Sequence, residues 1–215
     1  MAMAKICGLS SPEALAAALD GGAAFVGFVF FDASPRRITI DVARRLAALA
    51  RGRAKIVAVT VDPDDDLLVS LRKAFKPDFI QLHGGESPQR ARQAKAIADA
   101  GVIKVIPIAT ASDVGAAGAY HDVADHLMFE TKAPKDASRP GGHGAAFDWS
   151  LLSGRRFARP WFLAGGLNPE NVAAAVAASG APMVDVSSGV EGTGGLKEPA
   201  LIGRFLAAAQ ATSRA

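Results

Sequence analysis

A chain of 215 residues, half of them hydrophobic and 21% charged, is long enough to bury a sizeable core and reads as an ordinary globular protein. Its formal net charge of +3 is spread over basic pairs interleaved with acids, which excludes the concentrated basic face of a nucleic-acid binder. A single cysteine excludes an internal disulfide and any cysteine-based metal site.

No stretch reaches the ~18 apolar residues a membrane span needs, and Met1-Ala2-Met3-Ala4-Lys5 lacks a signal-peptide apolar run, so a cytoplasmic protein is expected. Taken in order, the chain repeats a short apolar strand, a turn and a helix. Strands are predicted over 4–8, 25–30, 55–61, 79–82, 103–108, 126–130, 161–163 and 183–186. They are rich in Val, Ile and Phe, as strands covered on both faces should be. Ser11-Pro12-Glu13, Ser87-Pro88-Gln89 and Asn168-Pro169-Glu170 each offer a capping side chain, proline at the first helical position, then Glu or Gln. Asp62-Pro63-Asp64 and Glu198-Pro199 are looser versions of the same signal. Helices are predicted over 13–19, 42–50, 67–75, 90–98, 172–178 and 201–208, all rich in Ala, Leu and Arg. The fifth and sixth helices are expected to be short or irregular, because 112–120 holds Gly115 and Gly118 and 149–152 has room for one turn. This pattern predicts an α/β fold, a (β/α)₈ TIM barrel with one domain spanning 1–215. A doubly wound open sheet is the rival, but no G-x-G-x-x-G follows the first strand.

In such a barrel, chemistry belongs at the carboxyl ends of strands and in the loops behind them. Lys5 and Cys7 share one face of the first strand by alternation, and that face can be the interior. A thiol beside a cation titrates closer to neutrality, which suits Cys7 to be a base or nucleophile; the alternative is a lone cysteine filling space. Glu130 ends the sixth strand. There it would face Cys7 as the carboxyl of an acid–base pair, or form an ion pair with Lys132 or Lys5. Arg36, behind Ser34-Pro35, either forks onto a substrate carboxylate or stays solvated. His83 ends strand four, lining the mouth or packing beneath it. Loops around Gly165-Gly166 and Ser188-Gly189 follow strands seven and eight, where such barrels hold phosphate on backbone N–H groups; the plainer reading is a tight turn. Loop 132–147, with Arg139-Pro140-Gly141-Gly142-His143-Gly144, has the length of a cover over the site. Asp64-Asp65-Asp66 heads a helix, where acids suit the dipole, and consecutive helical positions do not face one point, so no metal is assigned.

Several stretches then fall into one order and spacing. They are Lys5-Ile6-Cys7-Gly8, Gly27-Phe28-Val29-Phe30, Ser34-Pro35-Arg36, Gln81-Leu82-His83-Gly84, Gly141-Gly142-His143-Gly144 with Phe147-Asp148-Trp149, Ala164-Gly165-Gly166-Leu167-Asn168-Pro169-Glu170-Asn171-Val172, and Asp185-Val186-Ser187-Ser188-Gly189-Val190-Glu191. Together they make the chain resemble the phosphoribosylanthranilate isomerase family of tryptophan biosynthesis along essentially its whole length. The resemblance implies a cofactor-free Amadori rearrangement of N-(5-phosphoribosyl)anthranilate to 1-(2-carboxyphenylamino)-1-deoxyribulose 5-phosphate. It implies Cys7 as the general base at C2 and a strand-six carboxylic acid that protonates the furanose oxygen. It also implies Arg36 on the anthranilate carboxylate, His83 beside the substrate, and the Gly165-Gly166 and Ser188-Gly189 backbones on the phosphate. One departure matters: the family's acid is an aspartate, in a pattern like Phe-Asp-Thr-Lys, and here the position is Glu130. An extra methylene moves the carboxyl by about 1.5 Å, and a ~1 Å misplacement can cost about a hundredfold. Asp125, before the apolar part of strand six, and Asp136, out in the loop, are poor substitutes. Val59-Thr60-Val61-Asp62 is a smaller departure, from an apolar-aromatic run ending in asparagine. Two alternatives stay open: a phosphosugar-binding barrel that lost catalysis through Glu130, and a related isomerase of a histidine-pathway aminoaldose, which Cys7 counts against. The expected partner is a phosphorylated small molecule, bound by a monomer with no nucleic-acid or membrane partner.

Overall fold

In the computed structural model, which describes residues 1–133 and 146–212, eight parallel strands follow one another around a closed barrel. They are β1 (Met3–Cys7), β2 (Phe25–Val29), β3 (Lys55–Thr60), β4 (Phe79–Leu82), β5 (Gly101–Ile108), β6 (His126–Thr131), β7 (Trp161–Leu163) and β8 (Met183–Val186). The barrel closes where β1 pairs β8, with Lys5 opposite Asp185. The outer layer holds α1 (Pro12–Asp20), α2 (Ile40–Ala50), α3 (Asp65–Phe75), α4 (Pro88–Ala98), α5 (Val172–Ser179) and α6 (Pro199–Gln210). After β5 and β6 the chain makes 3₁₀ turns instead, Asp113–Tyr120 and Trp149–Leu152, at the two places expected to be irregular.

The caps explain the helix starts. Ser11 and Ser87 each accept a backbone N–H three residues on, from Ala14 and Arg90, with proline opening α1 and α4. Asp64 does the same for Leu67, so the acidic run serves α3 as a cap. Strand limits shift by a residue or two from expectation, for local reasons. Gly8 leaves β1 because it turns to φ +77°, a left-handed value that an extended strand excludes. Asp62 sits at φ +44° behind β3, which ends at Thr60.

Outward-facing residues such as Ile6, Phe28, Ile56 and Ile80 pack under the helices, while the inward set includes Phe25, Val57, Ile103, Met128 and Phe162. At the amino-terminal end, Phe25, Phe79, His126 and Phe162 plug the barrel, with Phe79 and His126 edge-on at 5.0 Å and Phe25 and Phe162 at 5.1 Å. Burying each aromatic side chain contributes about 1.5–3 kcal/mol. Burial pushes the His126 imidazole below its ordinary value, against the pull of Asp125, so it stays neutral within the plug. Asp125 takes Lys95 at 2.7 Å and the Val102 N–H at 2.7 Å, next to this plug and far from the chemistry. Among the described residues no helix is long and apolar enough to cross a membrane.

Candidate active site

The opposite end of the barrel gathers the charged residues. Alternation along β1 turns Lys5 and Cys7 inward, with the Lys5 side chain 0% exposed and Cys7 buried. Lys5 Nζ lies 2.7 Å from Asp185 Oδ1 across the β1–β8 seam. Gly27 of β2 stands opposite Cys7, and a Cβ there would sit 3.2 Å from Lys5 Nζ and 3.3 Å from Cys7 Sγ. Burial alone would lower the Lys5 ammonium, but Asp185 and Cys7 reverse this and push it up to about 12. For Cys7 the sequence expectation needs correcting. Lys5 does pull the thiol down, yet burial pushes it up more strongly and Asp185 adds to the rise. Burial and Asp185 together favour the neutral thiol over the thiolate.

Glu130 ends β6 and is nearly buried. Among the described residues it pairs with neither lysine considered from the sequence but with His83, whose Nε2 lies 2.8 Å from Glu130 Oε2. Lys5 is committed to Asp185, and Lys132 Nζ stands 3.8 Å from Asp113 Oδ1. His83 and Glu130 line a cavity of about 380 Å³ with Val105, Pro107 and Lys132. The loop carrying His83 is held from behind. Lys104 donates to the carbonyls of Leu82 and Gly84 at 3.3 and 2.8 Å and to Glu86 Oε2 at 2.6 Å. Glu86 in turn accepts the N–H groups of Asp62 and Gly84. A buried ion pair so fully hydrogen-bonded is rigid rather than strongly stabilising, and it sets where His83 emerges.

Arg36 reaches the mouth from the loop behind β2. Its fork is already engaged, which the sequence did not show: Nε and Nη2 donate to Glu191 Oε1 and Oε2 at 2.6 and 2.9 Å. Lys197 donates to the same Glu191 at 2.6 Å and to the Ser187 carbonyl at 2.9 Å. Burial pushes Glu191 up, but Arg36 and Lys197 outweigh it and hold the carboxyl below the usual range. Among the described residues no hydrogen bond takes the Nη1 edge of Arg36.

The two glycine loops touch each other. Gly165 adopts φ +89°, and a Cβ on it would stand 2.7 Å from the Thr131 backbone nitrogen, so only glycine lets this loop lie against β6. Asn171 donates to the Gly166 carbonyl at 2.9 Å and accepts the Asn168 N–H at 2.8 Å. That exchange makes 168–171 a turn and delays α5 to Val172. Ser188 and Gly189 open the 3₁₀ turn Ser188–Val190, and a Cβ on Gly189 would stand 2.8 Å from the Leu167 carbonyl carbon. Gly189→Ala is therefore expected to part the loops and cost about 1–3 kcal/mol in urea unfolding. An unchanged unfolding midpoint would mean the loops move apart freely.

Cys7, Glu130, Arg36, His83, Gly165, Gly166, Ser188 and Gly189 thus all lie at one end of the barrel, on β1, β6 or the loops behind β2, β4, β7 and β8. Asp136 and the 139–144 stretch fall outside the described residues, as does most of the expected cover. Three residues were missed. Alternation from Met183 already turns Asp185 inward, and a buried acid asks for a cation, so it was findable. Glu191 and Lys197 carried no such signal, because their meeting with Arg36 depends on the closed ring. Among the described residues no cluster of three or more His, Cys, Asp or Glu is placed to hold a metal ion.

A model of the N-(5'-phosphoribosyl)anthranilate isomerase family matches residues 4–208. The curated N-(5'-phosphoribosyl)anthranilate isomerase of Caulobacter sp. (strain K31) is 58% identical over 207 residues, covering 96% of this chain and 97% of the relative. The solved phosphoribosyl anthranilate isomerase from Thermotoga maritima superposes with a TM-score of 0.87 at 32% identity, covering 98% of this chain and 99% of that one. A phosphoribosyl anthranilate isomerase solved in complex with reduced 1-(o-carboxyphenylamino)-1-deoxyribulose 5-phosphate gives 0.84 at 31% identity, again over 98% and 99% of the two chains. The barrel and this kinship agree, and the chain belongs to the N-(5'-phosphoribosyl)anthranilate isomerase family.

Proposed function

We propose that this barrel converts N-(5'-phosphoribosyl)anthranilate to 1-(2-carboxyphenylamino)-1-deoxyribulose 5-phosphate without a cofactor. The observation that carries the reading is a buried thiol and a His83-held carboxyl at the ends of two strands of one mouth. Glu130 protonates the furanose oxygen as the C1–O bond breaks and a Schiff base forms. Cys7 then removes the C2 proton, and the resulting enolamine tautomerises to the ketone. The Nη1 edge of Arg36 holds the anthranilate carboxylate, with Glu191 fixing the angle of the fork. Backbone N–H groups around Gly165-Gly166 and Ser188-Gly189 take the phosphate.

The working unit is a single domain over 1–215, acting as a cytoplasmic monomer. Exposed large apolar side chains among the described residues are Met1, Met3, Leu49 and Leu196, too few for an obligate interface, and sedimentation of the full chain checks this. The activity is tested by adding purified protein to freshly made phosphoribosylanthranilate and following the loss of anthranilate-type fluorescence. Saturable turnover is expected. A signal decaying no faster than without protein, at any protein concentration, would leave only a phosphosugar-binding role.

A further inference from the structure

The pair beneath the thiol is hard to explain as structural support. Burying an ammonium and a carboxylate costs several kcal/mol per ion, and apolar side chains of similar volume often replace such pairs without loss of stability. Yet Lys5 is 0% exposed, with its ammonium 2.7 Å from Asp185 and, like the inward thiol two residues on, bordering the gap at Gly27. Gly27 of β2 leaves the space into which both Lys5 Nζ and Cys7 Sγ project. Lys5 donates to the Asp185 carboxylate at 2.7 Å, and a Cβ on Gly27 would stand 3.2 Å from its Nζ and 3.3 Å from the Cys7 Sγ, so the sulfur borders the same cation. One buried cation therefore faces two acids.

We propose that Lys5 is a positioning residue that holds the Cys7 thiolate in the barrel mouth, and that Asp185 competes with that thiolate for the same ammonium. At rest the stronger acid, Asp185, takes the cation, and Cys7 keeps its proton. When Cys7 loses its proton, Lys5 is shared between two anions, so Asp185 acts as a brake on the base. The other charges near the thiol are arranged around this pair. Lys197 behind β8 and Arg36 behind β2 both act on Cys7, but both are tied to Glu191. Glu130 on β6 and His83 behind β4 act on Asp185 from across the mouth, with opposite signs. None of these lies in the Gly27 gap with the thiol.

The catalytic consequence rests on Cys7 being the base, but the electrostatic claim can be read without turnover. The chain has one cysteine, so thiolate absorbance near 240 nm, corrected for the single tyrosine, reports this group alone. Lys5→Met should raise the titration midpoint by about 1–3 pH units, and Asp185→Asn should lower it by a similar amount. Residues that merely fill the barrel would shift the midpoint in one common direction or leave it in place, and either result overturns the proposal. If Lys5→Met does not fold, Asp185→Asn decides alone: a fall supports competition, and a rise or no change overturns it. The acid limb of kcat/KM should follow the thiol in each variant. Opposite thiol shifts with an unmoved kcat/KM limb would uphold the inference and remove Cys7 from the role of base.

Discussion

Cys7→Ser is expected to lower kcat by about 10²–10⁴-fold, the usual contribution of a positioned acid–base group, while unfolding in urea near the wild-type midpoint. Serine differs little in volume, and Lys5 remains as a partner for its hydroxyl, so the barrel has no reason to fail. The hydroxyl holds its proton far more tightly than a thiol and cannot serve as base near neutrality. Burial pushes the natural thiol up, so the wild-type rate should climb with pH through and above neutrality. Steady-state turnover against pH checks both statements. Near-normal turnover by Cys7→Ser would remove the thiol from the mechanism.

Glu130→Gln should be as damaging, about 10²–10⁴-fold in kcat, because it keeps the side chain's length but removes the proton it donates. Glu130→Asp tests geometry instead. His83 Nε2 is 2.8 Å from the glutamate oxygen, so the protein has fixed the longer acid in place. Shortening the side chain by one methylene withdraws the carboxyl by about 1.5 Å from that contact and from the ring oxygen it must reach, and roughly a hundredfold loss is expected. Single-turnover measurements with both variants separate proton supply from placement. An Asp variant as fast as wild type would mean the substrate, rather than His83, sets the position of the acid.

The barrel was legible because its signals are local. Serine–proline starts, apolar strands of uniform spacing and the glycines at 115 and 118 each act within a few residues, and the structure follows them. The position of Cys7 on an inward face needed only the alternation of β1. What the sequence concealed is a matter of partners. Arg36 reads from the sequence as a fork for a substrate carboxylate or a solvated cation, but Glu191, 155 positions away, occupies two of its donors. Glu130 was weighed against two lysines of the right charge, and the contact went to His83. Lys5, two positions away, suggests a lowered thiol, while burial pushes Cys7 up and Asp185 from the last strand adds to the rise. Charge effects in the mouth are sums over the closed ring, and no short window contains them.

Ring closure also imposes an order on assembly. Lys5 is synthesised 180 residues before its counter-ion, Asp185. At ~5–20 residues per second that gap lasts roughly ten to forty seconds. Until β8 docks, β1 has an unpaired edge, and parallel pairing across such a separation is intrinsically slow. Over that interval the Lys5 ammonium and the Cys7 thiol stay in water, open to oxidants and to early degradation. The step that shuts the barrel neutralises the lysine and shelters the sulfur together. A chain cut short before Asp185 would leave both exposed.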